Sequence, residues 1–178
     1  MPHTVLTFWF SEISPKQWWS AEPAFDAQVR ERFGATLQQA AAGELAAWRA
    51  TPEGRLAEVI VLDQFSRNIH RDTPLAFAHD GMALVLAQQA VGAGADAALS
   101  AVQRSFLYLP FMHSESRAIH VQAEALYRAN GLADNLNFEL RHKAIVDRFG
   151  RYPHRNAILG RATTAEEAEF LLQPGSRF

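Results

Sequence analysis

The sequence predicts an all-α fold, on three observations. Ala and Leu supply 49 of the 178 residues, whereas Val, Ile and Thr together supply 22. Small or unbranched side chains keep their rotamer freedom in a helix, and β-branched ones lose it. Apolar residues recur at spacings of three and four, the period of one helix face. Helix starts such as Thr51-Pro52 and stops such as Asn130-Gly131 punctuate the pattern. The expected architecture is about eight helices in antiparallel pairs, joined by short loops, in a single domain over residues 1–178.

The elements follow in order. TFWF is an apolar anchor, and Ser14-Pro15 with Gln17 fits the start of a short capped turn. Phe25, Val29 and Phe33 predict a first long helix from about Glu22; Gly34 ends or punctuates it, since Leu37, Ala41, Leu45 and Trp48 continue the spacing. Thr51-Pro52-Glu53 opens the next helix, with Thr as N-cap and an acid in the first turn. Thr73-Pro74 starts one that runs to about Ala90, and Asp96 caps another that ends near Pro110. Ser114 or Ser116 begins a helix to Ala129, and Asn135 begins one that stops at Gly150. Pro153 opens a short helix to Gly160, and Thr164 with Glu167 makes a capping box for the last. The triplet Arg-Phe-Gly occurs at 32–34 and 148–150, but no repeat of solenoid period is present.

Composition limits function. There is no Cys, which excludes disulfides, thiol chemistry and iron–sulfur clusters. A net charge of −2 argues against a nucleic-acid partner. The start lacks a basic n-region, and the longest apolar run, Phe106 to Met112, is too short to span a bilayer. The expectation is a soluble cytoplasmic protein with no membrane partner. Of 17 basic residues 15 are Arg, the residue suited to planar pairing with carboxylate or phosphate.

The functional signal lies where the helical period puts polar groups on apolar faces. Leu56, Val59, Ile60, Asp63 and Arg67 share one arc, so Asp63 and Arg67 sit on the core face at i, i+4, with Gln64 and Asn68 beside them. Either they form a salt bridge that fixes packing, or they belong to a pocket; burying two charges is costly in both cases. Val102, Phe106, Leu109 and His113 form a second stripe, and Phe138, His142, Ile145, Val146 and Phe149 a third. Glu115 shares a face with Ile119 and Leu126. A lone core His is commonly a hydrogen-bonded structural residue, but buried polar groups on three helices must satisfy one another or line a cavity. Finally, Arg148, Arg151, His154 and Arg155 crowd around Pro153, with Asn156 next to them. This cluster predicts an anion site at a helix N-terminus, the occupant being a ligand or an internal carboxylate such as Asp63 or Glu115.

Catalytic signatures fail. His113-x-Glu115 lacks the cysteine partners of a zinc deaminase; there is no HExxH, GxSxG, Walker loop or GxGxxG. No metal and no cofactor is expected. The segments TFWF (7–10), 51–80, YLPFMHSE (108–115) and 142–161 resemble the bacterial family catalogued as domain of unknown function 924. The resemblance implies a tetratricopeptide-like α-α superhelix and no activity. Its motif residues fall on Asp63, Gln64, Arg67, Asn68, His113, Ser114, Glu115, Arg148–Arg151, His154, Arg155 and Asn156. Two departures are Ser11, where the family has Gly after FWF, and Ser66, where it has Pro after DQF. Three readings follow: a pocket for a small anionic ligand, a hydrolase or lyase with His113 or His142 as general base and Glu115 close by, or a peptide-binding scaffold.

Overall fold

In the computed structural model, which describes residues 1–177, the all-α prediction holds: no strand occurs among the described residues. Helix α1 (Pro2–Thr7) widens into a π-turn over Phe8–Glu12, and a 3-10 turn follows at Gln17–Trp19, closed by Ser14 donating from its amide and hydroxyl to Gln17 Oε1. Helix α2 (Pro23–Ala41) passes straight through Gly34, where an added Cβ would meet nothing. It stops before Gly43, whose φ of 77° only glycine adopts without strain, so Leu45 and Trp48 do not continue it. A separate 3-10 turn holds Ala46–Ala50.

Next comes the central rod: α3 (Pro52–Ile60), a π-turn (Val61–Phe65) and α4 (Ser66–Ile69), continuous over 52–69. Thr51 caps it by accepting from the Gly54 amide at 3.1 Å. The expected helix from Thr73 to Ala90 is two pieces, a 3-10 turn (Pro74–Phe77) and α5 (Asp80–Gly92). At its start the Thr73 hydroxyl donates backward to the His70 carbonyl at 2.7 Å rather than capping forward.

Helix α6 (Ala101–Met112) begins at Ser100, which shares a capping box with Gln103. Asp96 is not its cap, because that carboxylate accepts the Tyr108 hydroxyl at 2.7 Å. Helix α7 (Arg117–Asn130) and α8 (Ala133–Phe149) end at Gly131 and Gly150, both left-handed. The expected helix from Pro153 to Gly160 is a single 3-10 turn, Pro153–Arg155. Helix α9 (Ala165–Leu171) carries the predicted Thr164/Glu167 box.

The rod is the hub, in contact with α1, α2, α5 and α6, and consecutive helices α5 to α8 pack on one another. Residues 56–62 of the rod are 0–1% exposed, so this helix is buried all round rather than along one stripe. Phe33 joins it to the N-terminal anchor, its ring 4.7 Å from Phe65 and 5.0 Å from Phe8. A second, smaller cluster gathers Ile145, Val146 and Tyr152 with Phe149 and Phe170. Where the two cores meet, polar groups from the rod, α5, α6, α7 and the 152–161 segment converge.

Candidate functional site

The π-turn at Val61–Phe65 sets up the site. A widened turn breaks the regular backbone ladder, and here the Arg67 side chain donates to the Asp63 carbonyl at 2.8 Å, a group that a regular helix gives to the amide of residue 67. The same Nη1 lies 3.1 Å from Asp63 Oδ1. Arg67 then reaches out of its own helix and grips Asp80 with both ends of the guanidinium, at 2.9 and 3.0 Å.

Asp63 is 1% exposed and fully occupied. One oxygen accepts from Gln64 at 2.6 Å and the other meets His113 Nδ1 at 2.7 Å. Burial alone would raise its carboxyl, but Arg67, His113 and Gln64 outweigh burial and hold it well below the ordinary carboxylate range. His113 is lowered as well, which leaves it neutral where Asp63 is charged. Burial and the Arg67 charge push the imidazole below its usual value, against the pull of Asp63 and Asp80.

Arg155 completes the group from the far side of the sequence. Its Nη1 meets Asp80 Oδ2 at 3.3 Å and its Nη2 donates to the His113 carbonyl at 3.0 Å. The guanidinium lies over the rings of Phe77 (4.6 Å) and Tyr152 (4.7 Å). Glu115 is held by a bidentate Arg161 at 2.6 and 2.9 Å and accepts the Tyr152 amide at 2.7 Å. Burial raises its carboxyl, yet these partners and nearby Arg155 leave it below the ordinary value. A cavity of about 340 Å³ opens between these groups. Asp80, His113, Ser114, Glu115 and Arg155 form its polar lining, together with the apolar Pro74, Phe77, Leu84, Pro110 and Leu159.

Of the residues singled out by pattern, Asp63, Gln64, Arg67, His113, Ser114, Glu115 and Arg155 meet here, whereas Asn68, His142 and most of the 148–156 cluster go elsewhere. Asn68 donates to Asp26 at 2.9 Å, a carboxylate already paired with Arg71. His142 donates from Nδ1 to the Phe138 carbonyl, four residues back on its own helix, and burial pushes it down to about 3; it is not part of the cavity wall. The Arg148–Asn156 cluster disperses. Arg148 pairs with Glu166 and Arg151 with Glu167, while Asn156 donates to Glu167 at 3.2 Å. His154 is half-buried, and desolvation pushes it down to about 4. One 3-10 turn offers no helix N-terminus, so of these basic residues only Arg155 faces the cavity.

Pattern reading missed Asp80, Phe77 and Arg161. The resemblance contained a signal for Asp80, since the similar segment ends on it. It also missed a second network below the cavity. His120 and Glu139, both 0% exposed, meet at 2.7 Å. The other ring nitrogen of His120 lies 2.9 Å from the Ser114 carbonyl and must donate to it, because a carbonyl only accepts. The Tyr152 hydroxyl donates to the Met112 carbonyl and approaches the same nitrogen at 3.1 Å. Burial raises the Glu139 carboxyl. This network fixes the Ser114 peptide that follows His113. Among the described residues no cluster has the make-up of a metal site, and no helix is long and apolar enough to cross a membrane.

A family profile described as bacterial protein of unknown function (DUF924) matches residues 5–175. Among solved structures, the chain is similar to a protein of unknown function, ATU0120 from Agrobacterium tumefaciens. The two are 38% identical over 96% of each chain, with a TM-score of 0.92. No curated protein matches.

Proposed function

We propose a function for a chain that belongs to the bacterial DUF924 family of unknown function: the cavity beside Arg155 binds a small anionic ligand, a carboxylate or phosphate. The observation that carries this reading is the unbalanced guanidinium of Arg155. It is 7% exposed, yet only two of its N–H donors meet an acceptor, and Nε is buried with no partner among the described residues. A guanidinium has five such donors. Of its two carboxylate neighbours, Asp80 is already gripped by Arg67 and Glu115 by Arg161. Burial and the Arg67 charge accordingly weaken its hold on its proton. An anion in the cavity adds negative charge beside the guanidinium and acceptors for its remaining Nη donors. The apolar wall leaves room for a short carbon skeleton, and 340 Å³ falls at the small end of ligand cavities.

Thermal unfolding in phosphate, sulfate or acetate, compared with chloride at equal ionic strength, tests the reading. An anion that binds only the folded state stabilises it by about 2.7 kcal/mol at a hundredfold excess over its Kd. Arg155→Gln should abolish the difference. Arg148→Gln should keep it, because Arg148 pairs with Glu166 on the surface. If phosphate and chloride act alike on the unmodified protein, the reading fails.

A further inference from the structure

We infer that the cavity is catalytic: His113, oriented by Asp63, is a general base that activates water to hydrolyse a small ester bearing a carboxylate. This rests on the anion-site reading, because Arg155 holds that carboxylate.

Hydrogen-bond chemistry fixes the state of the ring. The Asp63 carboxylate can only accept, so the 2.7 Å contact puts the imidazole proton on Nδ1. The lone pair of the neutral ring is then on Nε2, and no described residue hydrogen-bonds that atom. His113 lines the cavity with its side chain 14% exposed, so water reaches it. The two other buried histidines with a defined bond are differently placed. His142 is outside the cavity wall, and both nitrogens of His120 are engaged. The ring is also held neutral at pH 7. Burial and Arg67 lower its proton affinity more than Asp63 and Asp80 raise it. Arg155 and Glu115 flank it in the cavity wall. An Asp-oriented imidazole with a free nitrogen facing water is the arrangement that general-base catalysis requires.

Water is the nucleophile, because the Ser114 hydroxyl accepts from the Ser116 amide and has no bond to His113. In the step, Nε2 takes a proton from water while the water oxygen forms a bond to the ester carbonyl carbon. The carbonyl electron pair moves onto its oxygen. When the carbonyl re-forms, the bond to the alkoxy oxygen breaks, and that oxygen takes the proton from the imidazolium. The products are an acid and an alcohol, and the ring is neutral again.

The probe is 4-acetoxybenzoate, whose carboxylate is too far from the ester to assist its own cleavage; release of 4-hydroxybenzoate is followed by ultraviolet absorbance. The wild-type protein should accelerate hydrolysis, with a rate that rises through the His113 titration below pH 6.5 and then stays level. His113→Gln should lose roughly a hundredfold of that rate. Phenyl acetate, lacking the carboxylate, should show a higher KM, and so should Arg155→Gln acting on the probe. Asp63 is a positioning residue. Asp63→Asn should move the rising limb to lower pH as well as lower kcat, whereas a merely structural role would leave the limb in place.

If phosphate still raises the melting temperature but the wild type hydrolyses the probe no faster than buffer, or His113→Gln matches wild type, the catalytic inference falls and the binding reading stands. If phosphate has no effect, the binding reading falls, and with it the placement of the carboxylate. Should His113→Gln not fold, imidazole nitrogen chemical shifts of the wild type decide: a proton on Nε2 instead of Nδ1 overturns the base.

Discussion

Replacing Arg67 by Met tests how the polar junction is held together. Met keeps the length of the stem and removes the guanidinium, which has three acceptors: the Asp63 carbonyl, Asp63 Oδ1 and the whole Asp80 carboxylate. Asp63 is 1% exposed and cannot turn to water. Breaking a buried ion pair from one side costs about 3–5 kcal/mol, because the partner charge stays behind. For a chain of this size that lowers Tm by roughly 6–20 °C. The cost should depend on pH in a definite direction. In the wild type His113 binds its proton less tightly when folded, so its contribution to stability is lost as pH falls below the unfolded value of 6.5. Without Arg67, the dominant charge that repels the proton is gone, while Asp63 and Asp80 remain. The folded imidazole then binds its proton more tightly than it does in the wild type, so acidification costs the variant less stability than it costs the wild type. Imidazolium takes over the missing positive charge. Urea titrations at pH 8 and pH 5.5 should therefore show the full penalty at pH 8 and a smaller one at pH 5.5. A loss below about 1 kcal/mol at pH 8, the worth of a surface pair, or a penalty that grows on acidification, refutes the account.

Two further predictions concern residues outside the cavity. Asn68→Ala should lower stability by about 1.5–3 kcal/mol, since its amide bonds a buried carboxylate, and should leave the phosphate effect on Tm unchanged. Loss of that effect would tie Asn68 to the cavity. Gly54→Ala should destabilise by on the order of 3 kcal/mol or more, because its Cβ would lie 1.9 Å from the Trp48 carbonyl oxygen, a backbone atom with no freedom to yield. An unchanged urea midpoint would show that the Ala46–Ala50 turn moves aside.

The helices were legible where a cap and an apolar stripe coincide. Thr51-Pro52 and Thr164 with Glu167 are both, and both start helices as expected. Boundaries went astray where a side chain had another partner. Thr73 bonds backward and Asp96 holds a tyrosine hydroxyl, and neither preference is written in local spacing. The two π-turns were likewise invisible to a 3.6-residue period. They occupy Phe8–Glu12 and Val61–Phe65, and the two departures from the family pattern, Ser11 and Ser66, fall within the first and directly after the second. For the site, spacing found charges on buried faces but could not assign partners. Asp63 with Arg67 is an i, i+4 neighbour and could be read from one helix. Asp80, Phe77 and Arg155 meet that pair only through tertiary packing, so no periodicity connects them. The basic cluster at 148–156 misled for the opposite reason: charge density along the chain looked like one site, whereas the carboxylates of α9 draw off Arg148 and Arg151.

The energetics of the junction bear on why it is polar at all. Asp63, Arg67, Asp80, His113 and Arg155 lie close to an apolar core and pair among themselves. Replacing a buried ionic group by well-packed apolar residues is often neutral or stabilising, so stability alone does not call for it. Nor are this group and the second network self-sufficient, since each acid but Glu139 is matched and each base but His113 and Arg155 is fully engaged. The exceptions are informative. Glu139 Oε2 has no partner among the described residues, deep in the second network, where the raised carboxyl can hold a proton shared with His120. Among the described residues Arg155 finds acceptors for only two of its N–H donors, beside an open cavity. A network built only to fix packing would close on itself at both places. This one closes around Asp63, leaves a free nitrogen on His113 and an unmatched guanidinium within the same wall, and so directs its deficit at whatever enters the cavity.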